Sequence, residues 1–196
     1  MRAIDFCIRP AVSLILCLSV VAHVCAQEGD DAVSVVLDIL KSGDQDMAAV
    51  AIGMVKDMHG EDVTKALAKE LPNLSATSQV QLLSALGDRG DATALPAVTG
   101  ATKSQEAAVR EAALKAIGQL GDKSSVMLLA EAAAAASGSE QKAARDSLAR
   151  LRGEEVDKAI LAAIADAEPQ AKVELISSVG ERNIYAGVQT LLKSAG

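Results

Sequence analysis

The sequence is almost without aromatic residues: one tyrosine, one phenylalanine and no tryptophan stand among 196 residues, of which 50% are hydrophobic. A core built around large flat side chains is therefore excluded, and alanine, leucine and valine must fill the interior through many close contacts. Contacts of that kind favour helices packed tightly on helices. Basic residues are outnumbered, 19 against 26 acidic for a net charge of −7, which argues against a nucleic-acid or anionic-membrane partner. Cysteine is scarce too, and Cys7, Cys17 and Cys25 all lie near the N-terminus.

That N-terminal stretch reads as a secretory signal peptide over residues 1–26. Arg2 and Arg9 supply a positive start, Ala11 to Val24 is a mostly apolar run, and Val24-Cys25-Ala26 forms a small-residue cleavage pattern ahead of Gln27. The run is shorter than the roughly 20 residues a membrane-spanning helix needs, and Ser13, Ser19 and His23 interrupt it. Acylation at Cys25 is the lipoprotein alternative, but Ala22 and Val24 flank it poorly. Cleavage between Ala26 and Gln27 predicts a secreted or periplasmic protein with no membrane attachment. The remaining 170 residues carry 17 basic against 25 acidic side chains and no cysteine, so packing alone must hold them together.

Beyond the leader the chain repeats itself. Four segments superpose on three apolar anchors with constant internal spacing: Leu83, Leu86 and Leu95; Leu114, Ile117 and Val126; Leu148, Leu151 and Ile160; Ile176, Val179 and Val188. Ile52, Val55 and Val63 form a looser earlier copy. The middle anchors are separated by 31, 34 and 28 residues, so about five repeats are expected, varying where a loop absorbs the difference.

Each repeat reads as helix, tight turn, helix. Glu106 to Gln119 shows this best: Ala108, Ala112, Leu114, Ala116 and Ile117 keep a helical period. Glu106 with Arg110 and Glu111 with Lys115 are i,i+4 pairs suited to an exposed face. Gly118 and Gly121 are expected in left-handed conformations that end the helix, with Asp122 capping the next one. Gly87-Asp88-Arg89-Gly90-Asp91 repeats this turn, and Gly153-Glu154-Glu155 and Gly180-Glu181-Arg182 do so more weakly. Pro96 and Pro169 are placed near helix starts and Pro72 after a helix end. No period-2 strand pattern competes. Residues 27–43 are assigned to an N-terminal capping helix, with Val33, Val36, Leu37 and Leu40 on one face, and 44–196 to the repeat domain.

Helical hairpins so rich in alanine cannot bury their apolar faces singly, so stacking must make one continuous core: an all-α solenoid of about five antiparallel helix pairs. Tetratricopeptide repeats would need aromatics, and the ankyrin Thr-Pro-Leu-His signature is absent. The segment from Ala108 to Asp122, with Leu86-Gly87-Asp88 leading to Ala94-Leu95-Pro96, resembles the short HEAT-like repeats of phycobilisome lyase subunits. The resemblance covers residues 75–196 and departs where Arg152 replaces the usual turn glycine. It implies a right-handed superhelix of helix pairs whose second helices line the concave side, here 61–71, 94–102, 123–136, 155–166 and 183–193.

Chemistry is harder to find than architecture, because a fold does not imply a function. His59 is the one histidine after the leader and reads as an exposed turn residue. HEAT-repeat hydroxylases hold iron through paired His-Glu dipeptides, and none occurs in this sequence. Asp44-Gln45-Asp46 fails as a calcium loop, having Ala49 and Val55 where glycine and glutamate belong. Thr102-Lys103-Ser104 lacks the glycine and strand of a phosphate loop, and Arg89-Gly90-Asp91 is turn chemistry. No catalytic residue, cofactor or metal is expected.

What remains is surface. The segment 126–136 is apolar nearly all round, and Met127, Leu128 and Glu131 on it, with Glu154, Glu155 and Asp157 on an acidic rim, are the candidate partner-binding residues. The last helix carries Ile184, Val188, Leu191 and Leu192 without a capping helix, an open end suited to self-association. The expected function is an exported, non-catalytic scaffold for a protein partner. An accessory or maturation subunit of a lyase-type enzyme, or a non-catalytic domain of a larger exported enzyme, is the alternative.

Overall fold

The structure, a computed structural model, describes residues 32–184 and is helical throughout, with no strand among them. Helix α1 spans 32–42, followed by α2 (Gln45–Asp57), α3 (Glu61–Glu70), α4 (Ala76–Arg89), α5 (Leu95–Ala101), α6 (Ala107–Leu120), α7 (Val126–Ala135), α8 (Gly138–Arg150), α9 (Glu154–Asp166) and α10 (Pro169–Glu181). The helices pack in neighbouring pairs as an α-solenoid. The first helices α2, α4, α6 and α8 stack in a row, while α10 touches α7 and α9 as well as α8.

Local chemistry explains where helices start. The carboxylate of Asp44 accepts from the backbone N–H groups of Asp46 (3.0 Å) and Met47 (3.1 Å), so the aspartates near residue 45 open α2. Ser75 caps α4 through the Ser78 N–H. Pro96 and Pro169 sit in the first turns of α5 and α10, where the missing N–H costs nothing. His59 is exposed between α2 and α3.

Two kinds of turn join the helices within repeats. After α4 and α6 the turn carries its own cap: Asp91 accepts from the Thr93 N–H (3.0 Å) and Asp122 from the Ser124 N–H (2.8 Å), each opening a short 3-10 segment. Ahead of α3 and α9 the cap position is Gly60 (φ 107°) and Gly153 (φ 114°), with no side-chain cap. Glycine suits that backbone, which other residues rarely adopt.

The expected left-handed role holds for Gly90 (φ 70°) but not for Gly118 and Gly121. Gly118 lies inside α6, and a Cβ there would stand 2.7 Å from the Ser147 Cβ; one at Gly121 would stand 2.6 Å from the Ile117 carbonyl oxygen. These glycines are required for close approach rather than for their dihedral freedom.

The core is one contiguous cluster running from Val33 to Ile184. Leu83, Leu86, Leu114, Ile117, Leu148, Leu151 and Ile160 are essentially fully buried, each contributing about 1.5–3 kcal/mol of apolar burial. Ile176 departs from the anchor pattern: it is 37% exposed while Leu175 beside it is buried. Among the described residues no later helix covers that side of α10, and Val173 is open there too. Val188, Leu191 and Leu192 lie outside the described residues, as do the cleavage residues Ala26 and Gln27 and the second helix expected at 183–193.

Candidate functional site

Helix α7 is less enclosed than its composition suggests. Val126, Leu129, Ala130 and Ala133 face the core, Met127, Leu128 and Ala132 are half-buried, and Glu131 is exposed. Leu128 and Glu131 line a cavity of about 640 Å³ together with Thr102, Lys103, Arg110, Leu114, Ala132, Ala135 and Glu140. Met127 does not reach it. A second cavity of about 400 Å³ lies against Leu71, Pro72, Gln79, Ala97, Gly100, Ala101 and Lys103.

These two cavities are the same place in successive repeats. Adding 31 positions turns Pro72 into Lys103, Gln79 into Arg110, Ala97 into Leu128, Gly100 into Glu131 and Ala101 into Ala132. Lys103 lines both, so they lie side by side as two units of a groove at the C-terminal ends of α5 and α7. Alanines and Leu128 form its apolar part, beside the charged Lys103, Arg110, Glu131 and Glu140.

One wall of the groove is pinned. Arg110 donates from Nε and Nη2 to both carboxylate oxygens of Glu140 (2.8 Å each) and from Nη1 to the carbonyls of Ser104 and Gln105 (3.0 Å each). The pair joins the N-terminal turns of α6 and α8, in place of the expected exposed pairing of Arg110 with Glu106. The Arg110 hydrogen bonds hold the Glu140 carboxyl below its ordinary range, and Glu140 in turn raises Arg110. Lys103 and Glu131, by contrast, make no side-chain ion pair or hydrogen bond among the described residues.

The acidic rim is not one surface. Asp157 belongs to the packing: it accepts from Arg182 Nε (2.8 Å) and Nη2 (2.5 Å), and the same guanidinium also donates to the carbonyls of Leu148, Ala149 and Leu151. Glu155 is exposed and bonded to Lys158 (2.9 Å), which with Lys123 pulls its carboxyl below the usual value. Glu154 opens α9, but its side chain lies outside the described part. None of the three lines the groove. Lys103, Arg110 and Glu140 were missed by sequence reasoning, because their convergence depends on the 31-residue stacking of two turns rather than on any local motif.

Among the described residues, no group of three or more histidine, cysteine, aspartate or glutamate side chains could hold a metal ion, and no helix is long and apolar enough to cross a membrane. A family model described as HEAT repeats matches residues 64–149. Residues 64–149 carry HEAT repeats. The matched HEAT segment contains every residue that lines the groove, and α9 and α10 pack on beyond it. A solved structure of human deoxyhypusine hydroxylase in complex with glycerol is similar, with 17% identity, a TM-score of 0.49, and coverage of 85% of this chain and 78% of that one. No curated protein matches.

Proposed function

We propose that this chain is an exported, non-catalytic scaffold that docks a protein partner in the groove formed by α5 and α7. The observation that carries this reading is the duplication of one cavity in two successive repeats, with Lys103 lining both. Two like cavities side by side at helix ends suit an extended segment of another protein better than a compact metabolite. Glu131 is the groove carboxylate free of an internal partner, so a basic side chain on that segment fits opposite it, as the chain's net charge of −7 also favours.

The carboxylates near the groove support a non-catalytic reading. Bonds from Arg110 hold Glu140 low and bonds from Lys115 hold Glu111 low, the reverse of the raised value a general acid near neutral pH requires. Export rests on Arg2, Arg9 and the apolar run ending at Ala26, with Gln27 as the new N-terminus. The 31-residue step from Leu86 to Ile117 supports the short, phycobilisome-lyase-like type of HEAT repeat.

The test places a photo-crosslinking residue at Leu128 and, as a control, at Met54 on α2, in the native host. A single protein captured from the extracytoplasmic fraction at position 128 and not at 54 supports the proposal, together with an N-terminus at Gln27. Absence of any captured protein at 128, or turnover of a substrate by the purified chain, overturns it.

A further inference from the structure

Six arginines lie among the described residues, and four of them have internal partners. Arg89, Arg110, Arg145 and Arg182 each bind carbonyls or carboxylates of a neighbouring helix. Arg150 and Arg152 are exposed and make no side-chain hydrogen bond or ion pair. Both line a trough of about 400 Å³ with Gly87, Asp88, Gly118, Gln119 and Gly121, at the opposite end of α6 from the groove.

Arg152 breaks the repeat rule. Gly87 follows the anchor Leu86 and Gly118 follows Ile117, but it is arginine that follows Leu151. At the first two positions the neighbouring helix comes close: a Cβ on Gly87 would lie 3.3 Å from the Ala116 Cα, and one on Gly118, where glycine is needed, would lie 2.9 Å from the Ser147 Cα. At the third the chain has already left α8, so the position is free to carry a long cationic side chain. A local rule broken without a structural return marks a candidate functional residue.

The structural roles open to these two side chains are already filled. Arginine near a helix C-terminus often neutralises the last carbonyls, but Arg182 takes those of Leu148, Ala149 and Leu151 at the end of α8. Asp88, the carboxylate in the trough, is paired with Lys56 at 2.5 Å and accepts from Gln119 at 3.4 Å. Asp122, next to Gly121, is satisfied by the Ser124 N–H and hydroxyl. Two guanidinium groups therefore stand at the trough without an internal partner.

We propose that this trough is a binding site for a small oxyanion-bearing ligand, with a phosphate or carboxylate group held between Arg150 and Arg152. Guanidinium is suited to this task because its planar fork bonds two oxygens of one anion at once. The trough's volume falls in the range of small-molecule sites, about 300–1,000 Å³. This site is independent of the groove, and a ligand here leaves α5 and α7 uncovered.

The experiment titrates the purified chain with inorganic phosphate and, separately, with succinate, following binding by calorimetry and by the arginine side-chain and backbone N–H signals in NMR. Saturable binding that moves the Arg150 and Arg152 signals with the Gly118 and Gly121 amides is expected. Response to phosphate alone identifies a phosphoryl ligand, and response to succinate alone a carboxylate. Arg152→Gly, which restores the residue of the other repeats, should fold normally and weaken binding about tenfold, the loss of one charge-assisted contact. Arg150→Gln should act the same way. Failure of both anions to bind saturably, or binding undiminished in Arg152→Gly, overturns the proposal.

Discussion

Arg89 and Arg182 perform one task in two different repeats. Each sends Nη1 to carbonyls 34 and 31 positions earlier, Val55 and Met58 for the first and Leu148 and Leu151 for the second, and sends Nε to a side-chain oxygen 25 positions earlier, on Thr64 and Asp157. The turns they hold are the two that open on Gly60 and Gly153 and lack a side-chain cap. Arg89 Nη2 also reaches the Gly60 carbonyl at 3.0 Å. A turn without its own aspartate thus receives its hydrogen bonds from the next repeat, whereas the turns at Asp91 and Asp122 satisfy themselves.

Removing either arginine leaves several carbonyls without a donor. Arg182→Ala should destabilise the chain by about 2–3 kcal/mol, because it also strands Asp157, and Arg89→Ala by about 2 kcal/mol. Urea unfolding of the two variants measures this, and hydrogen exchange should show α9 and α10 loosened first in the Arg182 variant. An unchanged midpoint in both would refute the assignment.

Glycines of one composition should respond with opposite signs. Gly118→Ala forces a methyl against Ser147 and should cost about 1–3 kcal/mol, since α6 and α8 must move apart. Gly53→Ala, inside α2 with nothing within 4 Å, should instead stabilise by about 0.4–1 kcal/mol by restricting the unfolded chain. Thermal melts of the pair decide the matter.

Ser78 ties α1 to the stack. It is buried, and its hydroxyl donates to the Leu40 carbonyl at 2.9 Å. Ser78→Ala should cost about 1–2 kcal/mol by leaving that carbonyl unpaired, and protease cleavage between α1 and α2 should accelerate. Equal cleavage rates in the two proteins would show that α1 is held by its apolar face alone.

Acid should weaken the fold through its ion pairs. Hydrogen bonds from Arg145 to Glu174 (2.6 Å each), and from Arg110 to Glu140, place both carboxyls below the ordinary glutamate value of 4.5. A carboxyl whose folded pKa is lowered stabilises the fold at pH values above its unfolded pKa, and that contribution disappears as the pH falls through the folded one. Stability should therefore be flat near neutrality and fall below about pH 5. Glu174→Gln should be less stable at pH 7 yet lose less on acidification. A parallel acid limb in the variant would remove Glu174 from the account.

Helical periodicity made most of this architecture legible: the anchors from Leu83 to Ile160 land in the core except Leu95, which is half-buried beside the buried Ala94, and the helix starts at Asp44, Pro96 and Pro169 are where their chemistry puts them. The turns were only half legible. Asp122 announces its own cap, but nothing near Gly153 shows that its support comes from Arg182, since that contact spans two helices. Asp157 looked like a free surface charge for the same reason. Leu128 and Glu131 do reach one cavity, because an alanine-rich helix leaves room beside it, while Lys103 and Glu140 enter only when two repeats are stacked.

The arrangement of turns bears on how such a chain can change in length. Turns that depend on a neighbour sit before α3 and α9, and turns that complete themselves follow α4 and α6. A helix pair duplicated or deleted in the middle would therefore leave both arginine clasps intact, since each joins only adjacent repeats near one end of the described stack. The number of groove units can vary while the two ends stay fastened, so the length of the grooved surface can be altered without redesigning what holds the stack together.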